Sequence, residues 1–201
     1  MSKAGKGIRY AEVERETTET RVRVVLDLDG GTRQDVNTGI HFFDHMLTLL
    51  AFHGRIDIGV SAEGDVHVDD HHTVEDVGIV LGKALKDALK GDEPIARYGD
   101  NSTPMDETLV LCSLDFSGRG RFLKDLPFKR EKIGDMSTEC VTEFFHALAQ
   151  NAGLTLHLRC LTSENDHHLA EACFKAVGRA IFSATRTIDR RGAPSTKGVI
   201  D

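Results

Sequence analysis

The sequence predicts an α+β two-layer sandwich formed by internal duplication of a strands-helix-strand-helix unit. Three observations carry that prediction. The pattern Asp-His-His-x-x-Glu occurs twice, in HVDDHHTVED at 67–76 and in ENDHHLAEAC at 164–173. Each copy is preceded by a Phe-Phe segment with one histidine, FFDHMLTLLAFHG at 42–54 and EFFHALAQNAG at 143–153. Between the two lies a short alternating stretch, 55–60 in one half and 154–159 in the other.

Taken in order, the first unit opens with an extended run, Val22 to Gly31, whose counterpart is Leu109 to Gly118. Side chains in both largely alternate, as a half-buried strand requires. The Phe-Phe segments read as helices closed by Gly54 and Gly153, since glycine enters the left-handed conformation that ends a helix. The first is apolar almost all round, which implies burial on more than one side, as between subunits. After the short strand, each His-His motif opens a long helix. Val74, Val77, Leu81, Ala84, Leu85 and Ala88 fall at helical spacing, and so do Leu169, Ala172, Cys173, Ala176, Val177, Ala180 and Ile181. Asp69 or Asp70, and Asn165 or Asp166, are candidate N-caps. Helix on sheet in each half then gives two layers. We expect a single catalytic domain of two repeats, about 8–93 and 94–188, with residues 94–105 as the link and 189–201 as a polar tail.

Composition narrows the function. A chain of 201 residues, 40% hydrophobic and 28% charged, holds an ordinary globular core. No apolar run approaches the roughly 18 residues of a membrane span, and MSKAGKGIRY lacks the apolar centre of a secretory signal, so we expect a cytoplasmic protein with no membrane partner. Cys112, Cys140, Cys160 and Cys173 form no CxxC pair and read as thiols in a reducing compartment. A net charge of −7 without a basic stripe argues against nucleic acid.

The histidines point to metal. Helix residues i and i+4 share a face, whereas neighbours diverge by about 100°. His71 and Glu75 can therefore meet on one ion, as can His167 and Glu171, while His72 and His168 look elsewhere; a pairing of His72 with Glu75, three residues on, stays open. With His45 and His146 from the Phe-Phe helices, six histidines and two glutamates supply two sites of three nitrogens and one carboxylate. The expected division gives one ion His71, Glu75 and His168, and the other His167, Glu171 and His72; His45 and His146 each complete one set. A single such motif could be a mere helix cap, but its repetition with the same Glu offset favours ligation. His41, His53, His67 and His157 suit structural or supporting roles. There is no HExxH, which disfavours a zincin-type peptidase.

HFFDHM, DDHHTVEDVGI, EFFHAL, NDHHLAEACFKA and the tail PSTKG together resemble the imidazoleglycerol-phosphate dehydratases of histidine biosynthesis, over roughly residues 8–201 and in the monofunctional form. The resemblance implies halves of the ribosomal protein S5 domain 2-like kind, two Mn²⁺ per active site, and a homo-oligomer of 24 subunits with shared sites. Its substrate is a phosphorylated imidazole. It also matches Glu19, Arg97, Arg119, Lys175, Ser195, Thr196 and Lys197 to substrate-contacting positions. His45, His71, Glu75, His167 and Glu171 are candidates for substrate contact as well. Lys175 has independent appeal, one helical turn after Glu171, while Arg121 competes with Arg119 within Gly118-Arg-Gly-Arg121.

The implied reaction is loss of water from imidazole glycerol phosphate to give imidazole acetol phosphate. Its hard step is removal of a C–H proton that no carbonyl acidifies. A cation at each ring nitrogen would favour a metal-bound imidazolate. Electron push from the ring then expels the hydroxyl through a diazafulvene-like intermediate, and the adjacent C–H becomes acidic. Glu19, Glu171 and His45 are the candidate catalytic residues. Two rivals share the histidines: a dinuclear metallohydrolase, and a metal-buffering or metal-assembled protein that would need no Arg97, Arg119 or Lys197 near the ions.

Overall fold

Strands form where side chains alternate between core and water, and the buried-exposed rhythm of Thr20–Asp27 is the clearest instance. A computed structural model describes residues 9–31, 33–91 and 93–188. The first half runs β1 (Tyr10–Glu16), β2 (Thr20–Asp27), β3 (Gln34–Asn37), α1 (His41–Gly54), β4 (Asp57–Gly64) and α2 (His71–Ala88). The second half runs β5 (Tyr98–Met105), β6 (Thr108–Asp115) and β7 (Arg121–Asp125), then a small ribbon of β8 (Lys132–Ile133) and β9 (Met136–Ser137). It continues through α3 (Thr138–Ala152), β10 (Thr155–Thr162) and α4 (Asp166–Thr185).

The predicted duplication is borne out by topology. One sheet has the order β1-β2-β4-β3, the other β5-β6-β10-β7. In each, an antiparallel hairpin is extended by a strand, and the last strand lies parallel to it, β3 with β4 and β7 with β10. A parallel pair needs a crossover, which α1 and α3 provide. Each half is two layers, and the halves stack helix to helix, α1 on α4 and α2 on α3.

Between the helix layers sits a cluster of phenylalanines from the duplicated Phe-Phe segments and from Phe174 of α4. Phe144 stacks on Phe174 with centroids 5.1 Å apart, and Phe43 meets Phe144 edge-on at 5.3 Å. Such pairs contribute about 0.5–1.5 kcal/mol each beyond the area they bury. The helices approach more closely than any side chain allows. A Cβ on Gly178 of α4 would lie 2.3 Å from the Leu50 carbonyl oxygen of α1. One on Gly78 or Gly82 of α2 would lie 2.8 Å from a carbonyl oxygen of α3, that of Phe144 or Leu148.

Each half also caps the other's helices. Ile40, the N-cap of α1, has no side chain to offer, and the His41 and Phe42 amides donate to Asp135 at 2.7 and 3.0 Å. Conversely Asp70 accepts from the Ser137 amide and hydroxyl, at 2.5 and 2.7 Å, where α3 begins. A cap of this kind contributes about 1 kcal/mol. Because Asp70 is committed there, Asp69 receives the His71 amide; in the second half Asn165 receives the His167 amide, and Asp166 binds the Lys129 and Arg130 amides.

Three details differ from the sequence reading. Much of the expected link, 98–105, is the edge strand β5, whose polar residues and Pro104 suit an edge, while Gly99 presses on the Ala180 carbonyl. The left-handed residue after α1 is Arg55, with φ 51°; Gly54 is its last helical residue, packed on Gly178. Gly153 closes α3 as expected, with φ 68°. The short parallel strands β3 and β7 were hidden by their mixed polarity.

If the α1–α4 approach is as tight as its geometry, Gly178→Ala should overpack it and destabilise the chain by about 1–3 kcal/mol. Thermal denaturation at matched protein concentration reads this directly. An unchanged midpoint would show that the helices part freely.

Candidate active site

The α1–α4 contact brings together residues 126 positions apart in sequence. His45 projects from the first turns of α1, and His167 and Glu171 lie one helical turn apart at the start of α4. The Nε2 atoms of His45 and His167 both point at Glu171 Oε1, at 3.2 and 2.9 Å. Lys175, the next turn along, donates to the other oxygen at 2.6 Å. Burial alone would push the Glu171 carboxyl up, but hydrogen bonds from Lys175, His45 and His167 outweigh it and hold it at about 2.

The donor set suits a divalent cation. Ligands about 2.1 Å from an ion and at right angles to one another lie about 3 Å apart, close to the spacing of these nitrogens and this oxygen. All three donor atoms lie within 4.8 Å of one another. Two imidazoles and a carboxylate are the chemistry that zinc, manganese or iron accepts.

The second histidine of each pair turns away from its neighbour. Rings of His71 and His72 are 6.1 Å apart and nearly perpendicular, as are those of His167 and His168. His168 Nδ1 lies 2.9 Å from Glu107, whose carboxyl is held at about 2, chiefly by that bond. Asp106 joins them as a second group of potential ligands. His72 Nδ1 lies 3.2 Å from Asp65, with Glu19 at 3.7 Å, and the Asp65 bond leads in raising the His72 pKa.

Glu19 is placed by local hydrogen bonding at the tip of the β1–β2 hairpin. Thr17 Oγ1 accepts the Glu19 and Thr20 amides at 3.1 and 3.0 Å, and the Thr20 hydroxyl donates to Asp76, which also receives Arg15. The hairpin is thereby pinned to the first turns of α2, beside His72. Among the other expected site residues, half-buried His71 and Glu75 stand at the start of α2. His146 on α3 meets Gln150 at 3.0 Å and Glu143 at 3.9 Å. Among the described residues, His71, Glu75 and His146 do not form a cluster like that of His45, His167 and Glu171.

Arg97 and Arg119 lie at the opposite end of the second half. Arg97, in a left-handed conformation with φ 72°, grips Asp115 with two nitrogens at 2.6 and 3.1 Å, and its amide donates to the Ala184 carbonyl. Arg119 follows β6 in the loop entering β7. Ser195, Thr196 and Lys197 fall outside the described residues. Sequence reading missed Asp65 and Glu107. The signal for Glu107 was present: Glu107-Thr108 repeats Glu19-Thr20 at the same point of the duplicated hairpin.

Residues 38–181 match the sequence profile of imidazoleglycerol-phosphate dehydratase. The imidazoleglycerol-phosphate dehydratase of Desulforamulus reducens is 53% identical over 193 residues, covering 96% of this chain and 98% of its own. In structure, the chain is similar to the imidazoleglycerol-phosphate dehydratase of Staphylococcus aureus, with a TM-score of 0.81 at 37% identity, over 89% of this chain and 99% of that one. The Pyrococcus furiosus enzyme, crystallised with (S)-C348, gives 0.81 at 36% identity, over 93% and 99%. By sequence and by fold, the chain belongs to the imidazoleglycerol-phosphate dehydratase family of hydro-lyases.

Proposed function

We propose that this lyase of histidine biosynthesis dehydrates imidazole glycerol phosphate at a two-manganese site completed by more than one subunit. The observation that carries the reading is the convergence of His45, His167 and Glu171 on one ion-sized position. These three would hold one ion. His71, Glu75 and His146 are their repeat counterparts and would hold the other, with His72 and His168 supplied from facing half-sites. When bound, the ions contribute positive charge that lowers the pKa of the substrate's imidazole ring. Nitrogen-rich sites follow the Irving–Williams order, so manganese occupancy reflects cellular supply and the family resemblance more than donor preference.

Loss of the ring-adjacent hydroxyl and of the neighbouring C–H proton yields an enol, which becomes the ketone of imidazole acetol phosphate. Glu19 is the group we assign to proton transfer. Both oxygens of Glu171 are taken, one by two histidines and the other by Lys175. Glu19 is exposed and stands beside His72, 3.7 Å from its Nδ1. His45, sharing Glu171, serves the metal better than the proton.

Distance supports a shared site. Arg97 is fixed beside Ala184, whereas Glu171 lies thirteen residues earlier on α4, about 20 Å along the axis at 1.5 Å per residue. A three-carbon glycerol phosphate cannot bridge that gap. On this reading Arg97, and Arg119 near it, would bind the phosphate of a molecule held by another subunit's metal cluster, within an assembly of 24. Lys175 lies against Glu171, and we keep it as a secondary phosphate contact beside the tail residues Ser195, Thr196 and Lys197. Among the described residues no helix is long and apolar enough to cross a membrane. Separately, Cys112, Cys140, Cys160 and Cys173 are free thiols, which suits a reducing compartment.

With Mn²⁺, imidazole glycerol phosphate should yield the ketone without releasing phosphate, while a chromogenic phosphate ester stays intact. Phosphate release would favour hydrolase chemistry instead. Glu19→Gln should lower kcat by roughly 10²–10⁴-fold with bound Mn²⁺ unchanged; wild-type turnover would remove Glu19 from proton transfer. Finally, Arg97→Ala and His167→Ala chains, each inactive alone, should regain activity when unfolded together and reassembled. Persistent inactivity of verified mixed particles would place both residues in a site within one subunit.

A further inference from the structure

The duplication makes Glu107 the structural twin of Glu19. β2 and β6 are both eight-residue strands that begin with threonine, end with aspartate and are entered from a glutamate, Glu19 or Glu107. His72 and His168 are likewise twins, each the second histidine of its motif. In the second half the twin relationship is a direct bond, with both Glu107 oxygens within 2.9–3.2 Å of His168 Nδ1. In the first half Glu19 stops 3.7 Å short, and Asp65 takes the bond at 3.2–3.3 Å.

An ionised carboxylate can only accept, so Nδ1 of each imidazole carries the proton and Nε2 keeps a lone pair. Glu107 is itself fixed. Its Oε1 also receives the Thr108 hydroxyl at 3.0 Å and the Asn165 amide at 3.1 Å, beside the N-cap of α4. With those positions filled, Glu107 serves better as a rigid acceptor than as a ligand of a separate ion with Asp106.

We propose that Glu107 and Asp65 are positioning residues that hold His168 and His72 as Nδ1–H tautomers, with Nε2 presented to a metal ion, and that Asp65 thereby releases Glu19 for the substrate. The proposal rests on the two-ion reading above. Carboxylates behind metal-bound histidines typically change metal affinity by about 10–100-fold.

Calorimetric titration of Mn²⁺ into the metal-stripped full chain tests it. His168→Ala should weaken one class of sites strongly, and Glu107→Ala should weaken the same class by about 10–100-fold. Glu107→Gln, whose amide oxygen still accepts, should recover most of that loss, and Glu107→Ala should add nothing once His168 is alanine. In the first half, Asp65→Ala should weaken binding less than Asp65→Ala with Glu19→Ala, because Glu19 can close its gap to His72. Wild-type affinity in Glu107→Ala, or a Gln variant as weak as Ala, overturns the positioning role. Equal losses in the Asp65 single and double variants overturn the release of Glu19. If His168→Ala itself binds Mn²⁺ like wild type, the two-ion reading falls and the proposal falls with it.

Discussion

The structure depends on the backbone-to-backbone approach of helices from opposite halves. Gly178 against Leu50, and Gly78 and Gly82 against Phe144 and Leu148, leave no room for a side chain. That approach sets where α1 lies relative to α4, and hence whether His45 can reach Glu171. Side chains spanning a wider gap would have to be longer than histidine, and longer side chains lose more rotamer freedom when fixed. A rigid cluster of short donors therefore requires glycine beneath it. The stacked phenylalanines close to the same interface supply the apolar burial that keeps it shut.

Hydrogen bonding ties the halves together at the same ends. Asp135 of the second half caps α1, which bears His45, and Asp70, immediately before His71, caps α3, which bears His146. A helix start capped locally can shift with its own loop. One capped by the opposite half moves only when both halves do. The histidine-bearing helices are thus referenced to each other and not merely to their own sheets, which suits the proposed half-sites, whose donors would have to meet an ion at fixed distances.

Much of this was legible in the sequence. The doubled Asp-His-His-x-x-Glu, the twin Phe-Phe segments and the helical spacing of apolar residues were enough for the duplicated α+β fold, because periodicity is a local property. Divergence of adjacent histidines was legible for the same reason. Three things were not. Strand β5 reads as polar, since an edge strand facing water on one side needs only Gly99 and Thr103 turned inward. The pairing of His45 with Glu171 rather than with the first motif depends on which helices cross, which no spacing encodes. Asp65 and Glu107 sit in turns, where a carboxylate is common and only a three-dimensional neighbour gives it meaning. For Glu107 the repeat itself held the clue, through Glu19-Thr20 and Glu107-Thr108.

The places where the halves differ fit the symmetry of the substrate. An imidazole ring offers two nitrogens in nearly equivalent positions, and a duplicated chain offers two nearly equivalent sets of donors. The side chain breaks that equivalence: it leaves the ring at one carbon and carries the hydroxyl, the C–H and the phosphate in a fixed order. On the proposed mechanism only one half needs a group for proton transfer, and a group committed to orienting histidine cannot also serve that role. In the second half Glu107 is bound by His168, Thr108 and Asn165. In the first, Asp65 stands in its place and Glu19 remains exposed. The carboxylates behind the proposed ligands differ between the halves while both Asp-His-His-x-x-Glu motifs are kept, as expected if the duplication matches the ring and the departures from it match the side chain.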